Sequence, residues 1–349
     1  MHTYIITNSE NSGQPATRYV SGFSGSDSIL IFRTKKPLNK VDALQSMEWG
    51  KLLVDGRYWI QAENETQISN LKYQRKSKIQ IIKIHKDNTS KQAVNEILKQ
   101  NSIDEILVDS RITSYASVLT LQEQGLKIVP SPDIFQLIRE IKTTEEIAKI
   151  QKAQKIALEA FDAVKHEIVV GVSESYIAAK LEFLMKEKGA EKAAFETIVA
   201  SGLNSALPHA RSTDKKIEET DSVIVDFGAV YEGYCSDFTR TILMPKSSQK
   251  LQEIYMVAQE AQAKALRAVK IGAHAKDVDL AARSYIESKG YGQYFTHSTG
   301  HGVGMAVHEL PHVSYTSTTV LHKGHVITVE PGIYIPGVGG VRLEEMVII

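Results

Sequence analysis

Val223-Ile224-Val225-Asp226-Phe227-Gly228-Ala229-Val230-Tyr231-Glu232-Gly233-Tyr234-Cys235-Ser236-Asp237-Phe238-Thr239-Arg240-Thr241 reads as two apolar strands folded back on each other, each carrying one carboxylate. With Glu232 and Gly233 as the two turn residues, Gly228 falls opposite Asp237 and Asp226 opposite Thr239. Side chains alternate along a strand, so Asp226 and Gly228 share a face and Asp237 shares it with them. The two carboxylates are then diagonal neighbours, roughly 7 to 8 Å apart at the backbone, and their side chains can converge. Two anions on an apolar sheet repel each other and lose hydration, a cost relieved by a divalent cation or by protonation of one of them. The plain alternative is a pair of solvated acids on an exposed face. Cys235, beside the turn, is read as a small residue with no role.

Lone acids in apolar strands recur downstream. Val326-Ile327-Thr328-Val329 ends in Glu330, and Val341-Arg342-Leu343-Glu344-Glu345-Met346-Val347 is a further strand with two acids. Alternation puts Glu344 on the face of Arg342 and Met346 and turns Glu345 the other way, without saying which is the ligand. Between these strands lies His297-Ser298-Thr299-Gly300-His301-Gly302-Val303-Gly304-Met305-Ala306-Val307-His308-Glu309, where three glycines crowd His301. A loop without β-carbons lets backbone come close to a ligand or metal, and imidazole suits Mn, Fe, Co or Zn, so His301 is the natural histidine ligand. With Cys235 the single cysteine, a thiolate-rich structural zinc site is excluded.

Outward from this region, the second half of the chain contains a repeat. Gly171 is followed by a helical stretch ending in Lys188-Gly189 and Gly272 by one ending in Lys289-Gly290, at the same offset, with Ile177 and Val278 equivalent and each stretch preceded by another helix. The final glycines suit left-handed helix caps. Two related halves packed around one sheet are expected. The first of the preceding helices starts at a capping box, Thr143 with Glu146, and continues through Ile147, Ile150, Ala157, Phe161 and Val164. Upstream, short β-branched runs at Tyr4 to Thr7, Ser28 to Phe32, Lys51 to Val54, Gln80 to Lys83, Ile106 to Val108 and Lys127 to Val129 alternate with helical windows such as Lys91 to Gln100, the rhythm of an α/β layer domain. Val129-Pro130-Ser131-Pro132-Asp133 interrupts helix on both sides, which predicts domains at 1–130 and 131–349.

A chain of 349 residues with 42% hydrophobic residues has the length for two domains, each with its own core. Its 41 basic and 41 acidic residues balance, which argues against nucleic acid or an anionic lipid surface as partner. The one basic cluster, Lys72 to Lys78, is read as a solvated loop or strand face. No apolar run approaches the roughly 18 residues of a membrane span. The opening residues have neither the basic nor the apolar region of a secretion signal, and one cysteine forms no internal disulfide, so a cytoplasmic location is expected.

Taken together, Asp226 in VDFGAVYEGYCSDFTRT, Asp237, His301 in STGHGVGMAVHE, Glu330 in TVEPGIYI and Glu344 in GVRLEE resemble the pita-bread metallopeptidases, and more narrowly their proline-specific members, Xaa-Pro dipeptidase (prolidase) and Xaa-Pro aminopeptidase. SGLNSALPH (Ser201 to His209), YVSGFSGS (Tyr19 to Ser26) and VDGRY (Val54 to Tyr58) extend the resemblance over nearly the whole chain. The departure is Glu345, where relatives commonly carry Asp. The chain also starts close to its first strand and stops at Ile349, so a leading helix and a short tail common in relatives are not expected.

The resemblance implies an α/β N-terminal domain and an α+β C-terminal pita-bread domain with an internal pseudo-twofold repeat. It makes Glu344 rather than Glu345 the ligand, and has Asp237 and Glu344 bridge two metals, Asp226 complete one site, and His301 with Glu330 complete the other. Four carboxylates then match two divalent ions, Mn2+ or Co2+ first and Zn2+ or Fe2+ also suited, which activate a water and polarise the scissile carbonyl. Glu330 would also carry a proton, His308 would bond the substrate carbonyl and its tetrahedral intermediate, His209 and His297 would contact substrate near a proline pocket, and Arg342 would hold a ligand or a substrate carboxylate. The implied reaction is metal-dependent hydrolysis of the Xaa-Pro bond of dipeptides or peptide N-termini, by a homodimer. Competing readings are a methionine aminopeptidase, against which the N-terminal domain argues, an inactive protein-binding module, and metal-independent creatinase-like hydrolysis, both disfavoured by the full ligand set.

Overall fold

The structure, a computed structural model, describes residues 1–8, 14–38, 41–72 and 79–349, with the side chains of 41–43 and 68–72 excepted. The predicted basic cluster from Lys72 to Lys78 lies outside the described side chains. The chain divides into two compact units, Met1–Arg139 and Glu140–Ile349.

The first unit is built on a six-stranded sheet whose strands run, in spatial order, Ile79–Ile84, Met47–Asp55, Ser28–Thr34, His2–Asn8, Glu105–Val108 and Lys127–Pro130. Ser28–Thr34 pairs antiparallel with both of its neighbours, and the other three pairs are parallel. A parallel pair needs a crossover, and the helices Trp59–Lys72 and Tyr115–Glu123 supply those of the two edges. All six expected strands are present with longer bounds. Helix Ser90–Gln100 starts at a Thr89 capping box and buries Ala93, Val94, Ile97 and Leu98. The unit ends at Arg139 rather than at Pro130. Two prolines do stop the sheet there, but Phe135 packs on Tyr4 and Phe32, and the Ile138 carbonyl accepts the Tyr19 hydroxyl, so the stretch after the prolines still belongs to the first core.

The second unit opens with helix Thr144–Val164, capped by Thr143 and Glu146 as the sequence predicts. The repeat is present. Helices Glu174–Glu187 and Ala275–Ser288 follow the longer Thr144–Val164 and Gln249–Ala268, and each repeat helix lies between two glycines of positive φ, Gly171 and Gly189 in one half, Gly272 and Gly290 in the other. Ile177 and Val278 are fully buried in separate apolar cores, one for each half. The strands form several short antiparallel sheets rather than one. They break where side chains leave the ladder: at Gly228, where a Cβ would meet the Ser236 carbonyl at 2.0 Å, at Pro331, which has no N–H, and at Leu343-Glu344, inside what the sequence predicts as one strand. No helix among the described residues is long and apolar enough to cross a membrane.

Candidate metal centre

The hairpin register is the predicted one. Tyr231 pairs with Tyr234 around Glu232 and Gly233, both at positive φ, and Asp226 pairs with Thr239. Asp226 and Asp237 therefore open onto one cavity of about 400 Å³, which is also lined by His209, His297, His301, His308, Glu330, Arg342 and Glu344, the residues proposed from the sequence to hold metal or contact substrate. Glu330 directly follows strand Val326–Val329, and Glu344 occupies the break before Glu345–Ile348, which frees its side chain from the pleat. Glu345 turns away to pair with Arg240 at 2.7 Å.

His301 lies in strand Gly300–Gly302, and its glycines serve a purpose other than approach to a ligand. A Cβ on Gly300 would stand 2.0 Å from the Thr328 carbonyl and one on Gly302 would stand 2.1 Å from that of Leu310, so both are required by neighbouring backbone. The Nδ1 of His301 donates to the Gly302 carbonyl at 3.1 Å, and Nε2 faces Glu330 at 3.2 Å and Asp237 at 3.6 Å. Asp237, His301 and Glu344 each offer a ligand atom within 4.8 Å of the others.

Threonines and one arginine hold the acids in place. Arg342, 4% exposed, donates to Asp226 at 2.6 Å, to the Tyr334 hydroxyl at 3.1 Å, to the Pro208 carbonyl at 2.9 Å and to Thr239 Oγ1 at 3.0 Å. That commitment suits holding Asp226 and leaves little for a substrate carboxylate. Thr239 passes the order on, donating to Glu344 at 2.7 Å, while Thr328 donates to Glu330 at 3.1 Å. The Tyr334 hydroxyl lies 2.9 Å from His297 Nε2, and His297 Nδ1 lies 2.8 Å from the Ser298 carbonyl.

The charges in this arrangement are unbalanced. Burial, and then the charges of Glu344, Asp226 and Glu330, hold the Asp237 carboxyl well above the usual range; burial with Glu330 and Asp226 does the same to Glu344. Asp226 is raised by burial despite Arg342. Against burial, the hydrogen bond and charge of His301 bring Glu330 down to about 2, and Glu330 raises His301 in return. Burial lowers both His297 and His308, with His301 adding to the effect on His308. Among the described residues, Asp226 Oδ1 and Glu344 Oε1 are buried with no hydrogen-bond partner. Carboxylates crowded around one imidazole, with Asp226, Asp237 and Glu344 resisting ionisation and two buried oxygens unsatisfied, fit divalent cations.

Sequence reading missed His312, which lines the same cavity; it pairs with His301 across two strands, a register no local pattern announces. It also missed the apolar wall of Phe195, Ile198 and Pro208, and Tyr334 behind His297.

Residues 148–349 match the model of metallopeptidase family M24, and residues 3–141 that of the creatinase/prolidase N-terminal domain. An Xaa-Pro dipeptidase of Pyrococcus furiosus is 44% identical over 305 residues, 86% of this chain and 84% of that protein. Among solved structures, an Xaa-Pro dipeptidase from Bacillus anthracis superimposes with a TM-score of 0.87 at 36% identity, covering 99% of this chain and 90% of that one. An X-Pro aminopeptidase from Thermotoga maritima gives 0.85 at 35% identity, covering 100% and 93%.

Proposed function

The chain belongs to metallopeptidase family M24, and on that premise we propose that it is an Xaa-Pro dipeptidase, hydrolysing the amide between any residue and a following proline. The observation that carries this reading is the convergence of five metal-type donors with four histidines in one cavity that has an apolar wall. The names of the relatives from Pyrococcus furiosus and Bacillus anthracis support the substrate.

Asp226, Asp237, His301, Glu330 and Glu344 would hold two divalent ions, Mn2+ or Co2+ before Zn2+ or Fe2+. Such ions, when bound, supply an activated water and polarise the scissile carbonyl. The protein's own groups do the rest. Arg342 fixes the Asp226 carboxylate, and Thr239 and Thr328 fix those of Glu344 and Glu330. His308, held neutral by burial and by His301, presents an N–H to the substrate carbonyl oxygen as negative charge develops there. Glu330 accepts at a carboxylate oxygen the proton that the attacking water loses, and that proton passes to the proline nitrogen as its bond to the carbonyl carbon breaks. Phe195, Ile198 and Pro208 receive the ring, with His209 and His297 at its polar edges. An Xaa-Pro amide has no N–H, so recognition by ring shape replaces the backbone hydrogen bond other peptidases use.

The Thermotoga maritima likeness favours one second reading, an Xaa-Pro aminopeptidase. A metal-reconstituted comparison of Ala-Pro with Ala-Pro-Ala tests both. Cleavage of the dipeptide alone is the expected result, preference for the tripeptide makes it an aminopeptidase, and hydrolysis of neither overturns the proposal. An inactive binding module is disfavoured because buried acids without cations burden the fold. A cytoplasmic homodimer completes the proposal; light scattering on the purified chain tests the assembly.

A further inference from the structure

Glu174 opens helix Glu174–Glu187, is fully buried, and takes no part in lining the cavity. Its carboxylate nevertheless gathers donors from both ends of one segment. Oε1 accepts the Ser201 backbone N–H at 2.6 Å and its hydroxyl at 2.8 Å; Oε2 accepts the Thr213 N–H at 3.1 Å and its hydroxyl at 2.7 Å. The Asn204 amide reaches both oxygens at 3.2 Å. Ser201 and Thr213 are the two feet of the segment that carries Pro208 and His209, both of which face the cavity.

We propose that Glu174 is the positioning residue for this segment: by closing its two feet on one buried carboxylate, it sets where His209 and Pro208 meet substrate. This rests on the cavity's assignment as the substrate site. Every partner is a donor, so the position demands two acceptor oxygens, which a carboxylate has and an amide has not. Glutamine has the same shape but would aim an N–H at either Ser201 or Thr213, leaving a buried donor unpaired at that foot and weakening its hold. The far side of the segment is tied independently, through Arg342 to the Pro208 carbonyl and through the Gly340 N–H to Ser205, so loss of Glu174 loosens the segment without dismantling the metal donors.

The other half of the repeat makes a related contact from a different helix position, since Ala275 stands where Glu174 does. Asp279, in the matching helix Ala275–Ser288 and fully buried, accepts the Thr299 N–H at 3.0 Å, and its partner Arg283 donates to the His297 carbonyl at 2.9 Å. Each repeat helix thus sends a buried carboxylate to the backbone of a histidine-bearing segment.

The test compares Glu174→Gln and Asn204→Ala with wild type in the full chain loaded with Mn2+, measuring Ala-Pro kinetics, metal content and hydrogen exchange of the peptide spanning 201–213. Glu174→Gln should raise KM about tenfold or more while kcat stays within about threefold, metal content holds, and exchange quickens in that peptide. Asn204→Ala, which removes one donor and leaves both feet, should shift KM in the same direction by less, and it alone decides if Glu174→Gln does not fold. An unchanged KM in the folded variants, or a loss of kcat and metal together, overturns the proposal. If wild type does not cleave Ala-Pro, the substrate reading fails, while the exchange of 201–213 still decides whether Glu174 moors the segment.

Discussion

Replacing Lys142 by methionine should destabilise the C-terminal unit by about 3 to 5 kcal/mol, the cost of leaving a buried charge without its partner. The Lys142 ammonium lies 2.9 Å from Glu309 Oε1, and the two side chains are 1% and 2% exposed. Water has no access to replace the lost cation. The Lys127–Glu105 pair is shorter, 2.6 Å, but 74% and 48% exposed, so Lys127→Met should cost no more than about 1 kcal/mol. Burial, not distance, decides between them. Glu309 is also crowded against Gly304, where a Cβ would approach its carboxylate to 2.2 Å, and it accepts the Ala306 N–H at 3.3 Å; it thus braces the turn that ends in His308. Calorimetry of the two-unit chain reads the effect. Trp49 and Trp59, the two tryptophans, lie in the N-terminal unit, so their fluorescence identifies which transition belongs to that unit. For a unit the size of the second, each kcal/mol moves the midpoint by about 2 to 4 °C, giving a fall of roughly 6 to 20 °C for Lys142→Met. The double variant Lys142→Met with Glu309→Gln removes both charges and should recover most of that loss. A fall under about 2 °C, or a double variant no better than the single, would refute the reasoning.

The remaining predictions concern the centre itself. With excess chelator, the folded protein retains protons on Asp237 and Glu344 that the unfolded chain has released, so stability should decline as pH rises from the ordinary carboxylate range through their raised values; His301, also raised, adds loss in the same direction, whereas the contribution of Glu330 disappears only as pH falls toward 2. The C-terminal midpoint should therefore be lower near about pH 8 than near about pH 6, and a midpoint that rises instead would contradict the assigned shifts. Arg342→Lys cannot serve Asp226, Tyr334, Pro208 and Thr239 at once, and should weaken metal binding about 10- to 100-fold by chelator competition; wild-type affinity would count against its role. Gly300→Ala sets a Cβ 2.0 Å from a backbone carbonyl and should cost about 1 to 3 kcal/mol with reduced metal content, which wild-type stability would disprove.

What the sequence made legible was local. A two-residue turn and a period of two place Asp226 relative to Asp237, and a capping box marks the start of helix Thr144–Val164. Paired glycines at equal spacing mark the repeat, because left-handed backbone demands them. The illegible part lies in contacts between distant segments. Lys142 meets Glu309, Glu174 meets Thr213, and His301 meets His312 only because the fold brings their elements together, and no periodicity encodes such pairs. The domain boundary was displaced for the same reason: prolines end a strand, but packing of Phe135 on Tyr4 decides which core the next residues join. The glycines beside His301 were visible while their purpose was not, since the carbonyls they admit belong to the partner strands Glu309–Val313 and Val326–Val329.

Equilibrium dialysis against Mn2+ followed by elemental analysis addresses the centre most directly. The wild-type chain should retain about two ions, and Asp237→Ala should lose both retention and Ala-Pro hydrolysis while keeping its helical content. A wild-type chain that retains none, or an Asp237→Ala variant that keeps the same count and turnover, would contradict the account.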